Sequence, residues 1–144
     1  PNARGAWREG IGRNVAHVGM SVTELNLACC AVEAAEGVDL WRANPAFAAS
    51  AQAVEPALNV LVVAGTVTKA NADLVRRSYE NLPTPRAVIA FGVCTISGGP
   101  YWDSYSVVPG IAEIVPVDIM VAGCPPQPAD IAEALNALAV GVTA

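Results

Sequence analysis

Three runs of apolar residues stand out along the chain, at residues 58–65, 86–92 and 115–123. They show no regular alternation with polar residues, which is typical of strands buried on both faces of a parallel sheet. The pattern therefore predicts three strands. A weaker apolar stretch predicts a further strand around residues 15–20.

Helical patterns separate these predicted strands. Residues 72–82 should form a helix that two prolines end, with one face made of Leu74, Val75, Ser78, Tyr79 and Leu82. Further helices are expected at residues 30–36 and 129–138. Strands that alternate with helices predict an α/β fold with a doubly wound parallel sheet of about four strands.

Four cysteines are the main candidates for chemistry: Cys29, Cys30, Cys94 and Cys124. Cys94 and Cys124 closely follow the ends of two predicted strands. Open parallel sheets bind ligands outside the carboxyl ends of their strands, so these two thiols should meet in one crevice. The tandem pair would complete a set of four, the number that holds one cubane iron–sulfur cluster.

The cysteines alone leave other interpretations open. A structural zinc site also takes four thiolates, although the usual C-x2-4-C spacing is not present. Buried, chemically inert or redox-active thiols are a second alternative. A disulfide framework is disfavoured, because no secretion signal is visible and a bond between adjacent cysteines is strained.

The amino-acid composition indicates whether the surface of the domain is exposed to water or buried against other subunits. The 144 residues suffice for one domain with a substantial core. Charged residues make up 15% of the chain and hydrophobic ones 53%, whereas an average domain has about 25% charged residues. A charge-poor surface favours burial against partner subunits, and a compact alanine-rich domain is the alternative. No apolar run is long enough to span a bilayer.

The charged residues further limit the kinds of partner that the chain is expected to bind. The net charge of −5 does not resemble the basic footprint of a nucleic-acid-binding protein. Arg4, Arg8 and Arg13 lie close to the start of the sequence, where they could dock on an acidic partner. We therefore expect residues 1–24 to be a partner-contacting segment and residues 25–144 to be a single iron–sulfur domain.

Several motifs in the same order resemble a known family, and they read LACCAVE, LPTPRAVIAFGVCTISGG and IVPVDIMVAGCPPQP. The chain is similar over residues 25–138 to the 20 kDa subunit of respiratory complex I and its photosynthetic relatives. Small subunits of energy-converting nickel–iron hydrogenases belong to the same superfamily. The resemblance implies a flavodoxin-like, three-layer αβα domain that holds one 4Fe-4S cluster.

The resemblance also implies roles for individual residues. The cluster ligands of the family correspond to Cys29, Cys30, Cys94 and Cys124. Glu33 matches a family acid, which would tune the reduction potential or relay protons. Its alternative role is that of a carboxylate that stabilises the start of a helix.

Three features in and after the tandem-cysteine region distinguish the branches of this superfamily. The related hydrogenase subunits spell the ligand pair C-x-x-C, which would put a cysteine at Leu27, so the CC pair favours the quinone-reducing branch. By contrast, Ala34 and Ala35 stand where that branch commonly has methionines. Its Arg-Phe-Gly stretch is also not visible around residues 39–45.

The resemblance thus implies an electron-transfer subunit of a complex I-like NADH:quinone oxidoreductase. Its partners would be a 49 kDa-type or hydrogenase-like large subunit, a ferredoxin-like 8Fe-8S subunit and membrane-arm subunits, with quinone at the large-subunit interface. The expected location is peripheral, on the cytoplasmic face of the inner or plasma membrane. A hydrogenase small subunit and a zinc-binding structural subunit are the alternatives.

One predicted loop contains three of the eight aromatic residues of the chain. Residues 96–110 are rich in glycine and proline, and they include Tyr101, Trp102, Asp103 and Tyr105. Such a loop between two ligand-bearing regions more often packs against a partner than takes part in chemistry. We therefore expect it to be a contact surface.

Overall fold

A four-stranded parallel sheet forms the centre of the described part of the chain. The computed structural model describes residues 19–44 and 58–143, and its strands are β1 (Met20–Asn26), β2 (Leu58–Ala64), β3 (Arg86–Phe91) and β4 (Ile119–Val121). The strand order is β1-β2-β3-β4, and each neighbouring pair is parallel. The predicted four-stranded parallel sheet is therefore confirmed.

Helices cover both faces of this sheet. The described helices are α1 (Cys30–Ala43), α2 (Ala72–Glu80), α3 (Val93–Ser97) and α4 (Pro128–Thr143). Two short 3-10 helices follow at Gly99–Tyr101 and Ile111–Glu113. The loop predicted at residues 96–110 therefore has helical structure at its start.

The core divides into two layers, one on each side of the sheet. Val60 and Val62 of β2 contribute to the layer that contains α1 and α4. Leu61 and Val63 point to the opposite side and contribute to the layer that contains Val75 of α2. Because successive strand residues face opposite sides, one uninterrupted apolar run fills both layers. This three-layer arrangement confirms the flavodoxin-like α/β fold.

The first strand lies further along the chain than predicted. It occupies Met20–Asn26, whereas the expected strand was at residues 15–20, most of which lie outside the described part. Among the described strands β1 pairs only with β2, and its Ser21 and Thr23 side chains are exposed. An edge strand tolerates such polar residues, so the apolar pattern did not mark it.

The last strand is shorter than predicted. It comprises three residues, Ile119–Val121, instead of residues 115–123. Just before it, the Asp118 side chain accepts a hydrogen bond from the Val88 amide at 2.8 Å, and the Asp118 amide donates to the Val88 carbonyl at 2.9 Å. A side-chain oxygen thus takes a position that a backbone carbonyl would occupy in a longer strand. Pro116 has no amide hydrogen to continue the pairing.

Two predicted helices also differ from the structure. α1 continues to Ala43 instead of ending at residue 36, and Gly37 lies inside it where it packs against α4. On α2, Val75 is fully buried but Leu74 is 49% exposed, so the prediction that both lie on the buried face was wrong for Leu74. Adjacent helical residues point about 100° apart, which separates these two side chains.

The contact between α1 and α4 stabilises the core layer that contains Cys30. Trp41 donates its indole N–H to Asn136 Oδ1 at 3.1 Å, which joins the carboxyl-terminal turn of α1 to the middle of α4. At Gly37 the helices approach so closely that an added Cβ would overlap Ile131 and the Pro128 carbonyl. In the described part of the chain, no helix has the length and apolar character needed to cross a membrane.

Candidate functional site

The carboxyl ends of β3 and β4 hold two of the four cysteines next to each other. The Gly92 amide donates to the Val121 carbonyl at 2.8 Å, and the Val93 amide donates to the Gly123 carbonyl at 3.0 Å. Cys94 follows Val93 within α3, and Cys124 follows Gly123. The backbone residues that precede these two cysteines are therefore hydrogen-bonded to each other.

The tandem cysteines lie at the neighbouring strand end. The Leu27 amide donates to the Ala64 carbonyl at 2.9 Å, which anchors the turn after β1 to the end of β2. The next residue, Ala28, contacts Gly65 so closely that a Cβ on Gly65 would lie 2.6 Å from the Ala28 amide nitrogen. Cys29 precedes α1, and Cys30 is its first residue.

Glycines form a cradle around two of the sulfur atoms. A Cβ added at Gly92 would lie 2.6 Å from Cys30 Sγ, and one added at Gly99 would lie 2.9 Å from Cys94 Sγ. Both separations are too short for a real side chain. Cys30 Sγ therefore lies directly against the end of β3, at the point where the segment that carries Cys94 begins.

The other three cysteines influence the ionisation of Cys30. The pKa of Cys30 rises to about 11, mainly because the thiol is buried. Cys29 raises it further through charge and a hydrogen bond, and the charges of Cys94 and Cys124 add to the effect. Clustered thiolates repel one another, so a bound cationic group would favour their ionisation, with release of protons.

The exposure of the cysteines is uneven. Cys30 and Cys94 are buried, whereas Cys29 and Cys124 are exposed. Within residues 19–44 and 58–143, no three or more His, Cys, Asp or Glu side chains are placed to hold one metal ion. The donor set and the glycine cradle fit a thiolate-bound group in their chemistry. A four-iron cluster binds each cysteine to a different iron, so its thiolates need not gather around one ion.

Glu33 lies one turn beyond the tandem pair, in the first turn of α1. Its Oε2 is the only buried side-chain oxygen or nitrogen of the described residues that has no hydrogen-bond partner. Its place in the first turn suits a carboxylate that stabilises the helix start. The unpaired oxygen leaves one acceptor available to a group outside this chain.

Three exposed aromatic residues follow Cys94 closely along the chain. Tyr101, Trp102 and Tyr105 are 55%, 66% and 90% exposed, and they follow closely after Gly99, which touches Cys94. The far end of their loop is held to the segment that follows β2, because Thr68 and Val107 form an antiparallel bridge. We call Tyr101, Trp102 and Tyr105 the aromatic patch.

Thr95 was not among the functional residues predicted from the sequence. It is the only fully buried polar side chain of the described residues, and its hydroxyl lies 2.9 Å from the Gly65 carbonyl and 3.0 Å from the Phe91 carbonyl. The Gly65 amide in turn donates to the Thr95 hydroxyl at 3.1 Å. A single polar residue directly after Cys94, in a mostly apolar stretch, was the available signal.

Comparison with known proteins agrees with this architecture. The solved structure of a membrane-bound sulfane sulfur reductase, described as an archaeal respiratory membrane complex, contains a similar chain with a TM-score of 0.62. The two chains share 20% identity, and the match covers 96% of this chain and 75% of the other. At this identity the similarity shows a common fold.

The family model identifies the chain more closely. The model described as NADH ubiquinone oxidoreductase, 20 kDa subunit, matches residues 17–138, which include all four cysteines, Glu33 and every described strand. The family consists of subunits of oxidoreductase complexes. This chain therefore belongs to the 20 kDa subunit family of NADH:ubiquinone oxidoreductase.

Proposed function

We propose that this chain is an electron-transfer subunit of a complex I-like membrane assembly and carries one 4Fe-4S cluster on Cys29, Cys30, Cys94 and Cys124. The single observation that carries the proposal is the placement of the cysteines at neighbouring strand ends, where Cys30 Sγ lies against Gly92 and Cys94 Sγ lies against Gly99. The other three cysteines also raise the pKa of Cys30. Electrons would come from a ferredoxin-like 8Fe-8S subunit and leave to quinone at the boundary with a large subunit. The assembly would place the chain peripherally on the cytoplasmic face of the membrane.

The residues of the chain would supply binding and tuning. A bound 4Fe-4S cluster accepts and releases one electron at a time. Cys30 and Cys94 would hold it from the buried side, and Cys29 and Cys124 from the exposed side. The exposed side would face the large subunit, which would exclude water and so influence the potential. The unpaired Glu33 Oε2 would accept a hydrogen bond there and provide a group for proton relay or for tuning.

Replacing Cys94 tests the ligand assignment. We expect Cys94→Ala to abolish the native 4Fe-4S signal, because Cys94 is buried within the cradle and no other cysteine of the chain is left to replace it. The measurement is low-temperature EPR of the purified parent complex, oxidised and then reduced with dithionite, with iron, zinc and sulfide assays.

Ser97→Ala is the matched control for Cys94→Ala. Ser97 lies on the same short helix and is exposed, and its hydroxyl donates to the Val93 carbonyl at 3.2 Å. The control should keep the signal. A Cys94→Ala complex with the wild-type spectrum would exclude Cys94 as a ligand, and one zinc per chain with no cluster signal would favour the structural alternative.

The aromatic patch would form part of the contact with the large subunit. Exposed tryptophan and tyrosine are enriched at protein interfaces, and this patch follows Cys94 closely along the chain. We expect Trp102→Ala to lower the yield of intact complex in a pull-down with a tagged partner subunit. Leu74→Ala, a similarly exposed apolar residue on α2, should leave that yield unchanged. Equal recovery of both variants would place the interface elsewhere.

A hydrogenase-like assembly is the second candidate. Ala34, fully buried on α1, and Ala35 stand where methionines are common in the quinone-reducing branch. Smaller side chains here would change the shape of a quinone cavity near the cluster. Nickel analysis of the purified complex distinguishes the candidates, because a hydrogenase partner would hold nickel and a quinone-reducing partner would not.

A further inference from the structure

The end of β2 lies between the two ligand-bearing segments although it contributes no cysteine. On one side, the Ala64 carbonyl accepts from the Leu27 amide at 2.9 Å, and Gly65 packs against Ala28. Ala28 immediately precedes Cys29. The tandem cysteines are therefore placed by contacts with Ala64 and Gly65.

On the other side, Thr95 joins Gly65 to the Cys94 segment. Its hydroxyl accepts from the Gly65 amide at 3.1 Å and donates to the Gly65 carbonyl, 2.9 Å away, or to the Phe91 carbonyl, 3.0 Å away. All these contacts are fully buried, where a lost hydrogen bond leaves a polar group without water to replace it. One side chain thus connects α3 to the ends of both β2 and β3.

We propose that Ala64 and Gly65 form a spacer that sets the separation between the tandem cysteines and Cys94, and that Thr95 is the positioning residue that locks this spacer to α3. The proposal rests on the proposed function in so far as these cysteines are the ligands of one cluster. Thr95 acts through Gly65 and Cys94 and does not itself touch the group that the cysteines hold.

The chain offers closely matched variants for a test. Thr95→Val keeps the branched shape but removes the hydroxyl, so the Gly65 amide loses its partner. Thr95→Ser keeps the hydroxyl and removes only a methyl group. Ser97→Ala removes an exposed hydroxyl from the same helix and controls for the loss of any serine or threonine hydrogen bond.

Two measurements on the assembled complex decide the question. The first is hydrogen exchange at the Gly65 amide and across Val93–Ser97, which does not depend on a cluster. The second is a potentiometric EPR titration, which gives the midpoint potential and g-values of the signal lost in Cys94→Ala. We expect Thr95→Val to speed exchange about tenfold and to shift both EPR quantities. Thr95→Ser and Ser97→Ala should match the wild type.

Each other outcome has a defined meaning. If Thr95→Val exchanges at the wild-type rate, Thr95 does not lock Gly65 to α3. Faster exchange with an unchanged potential and unchanged g-values would overturn the claim that the spacer sets ligand geometry. If the wild-type complex has no signal that depends on Cys94, the proposed function fails. Hydrogen exchange alone then tests whether Thr95 locks Gly65 to α3. The exchange rate across Val93–Ser97 must still rise in Thr95→Val but not in Thr95→Ser.

Discussion

Gly92→Ala should abolish cluster assembly while every cysteine is retained. Gly92 has φ +97° and ψ +153°, a region that is essentially restricted to glycine and costs other residues about 1–3 kcal/mol. In addition, the new Cβ would lie 2.6 Å from Cys30 Sγ, so the sulfur would have to move out of its cradle. Iron and sulfide content per chain, with low-temperature EPR of the complex, measures the loss.

Gly110→Ala separates displacement of the sulfur from backbone strain. Gly110 has a similar conformation, φ +116° and ψ +137°, but its added Cβ would meet the Ile96 carbonyl instead of a sulfur. It should lower stability while iron and sulfide in the folded complex stay near one cluster per chain. A Gly92→Ala complex with wild-type iron, sulfide and EPR would show that Cys30 Sγ does not need its present position.

The strands that were predicted correctly are the ones buried on both faces. β2 and β3 lie in the middle of the sheet, so nearly every residue is apolar and the sequence pattern is unambiguous. β1 and β4 are edge strands, where one side of the strand has no neighbour in the described sheet. Polar residues such as Thr23 and Asp118 are tolerated there, and local hydrogen bonds decide where pairing stops.

The same distinction applies to the candidate site. Features that depend on the local sequence could be predicted, and contacts between distant residues could not. The positions of Cys94 and Cys124 could be predicted, because each follows a strand end that an apolar run already marks. The contact between Gly92 and Cys30 could not, since 62 positions separate these residues in the printed sequence and only the folded sheet brings them together. Thr95 was missed for the same reason, because its partner Gly65 belongs to another strand end.

The helix boundaries illustrate how packing overrides propensity. The helix predicted from Cys30 ended at residue 36, directly before Gly37, and glycine lowers helix stability by about 1 kcal/mol relative to alanine. In the structure, α1 continues through Gly37 because α4 crosses it there at very short distance. Trp41 and Asn136 then join the helices one turn further on. The glycine therefore permits the crossing and does not end the helix.

Gly37→Ala should destabilise the fold although alanine is the better helix former. Its Cβ would overlap Ile131 Cγ2 and the Pro128 carbonyl oxygen, and the second of these is backbone that no side-chain rotation can move away. Overpacking of this kind costs up to about 3 kcal/mol, against a typical total stability of about 5–15 kcal/mol. The measurement is the urea unfolding midpoint of the purified chain, followed by tryptophan fluorescence.

Two further variants fix the cause of this destabilisation. Glu36→Ala introduces alanine at the neighbouring exposed position and should change the free energy of unfolding by less than about 0.5 kcal/mol. The double variant Gly37→Ala/Ile131→Ala should remain less stable than Ile131→Ala alone, because the Pro128 carbonyl still meets the added Cβ. If Gly37→Ala unfolds at the wild-type urea concentration or above it, helix propensity outweighs the crossing. The close α1–α4 approach would then not be what holds the helix bearing Cys30 against the sheet.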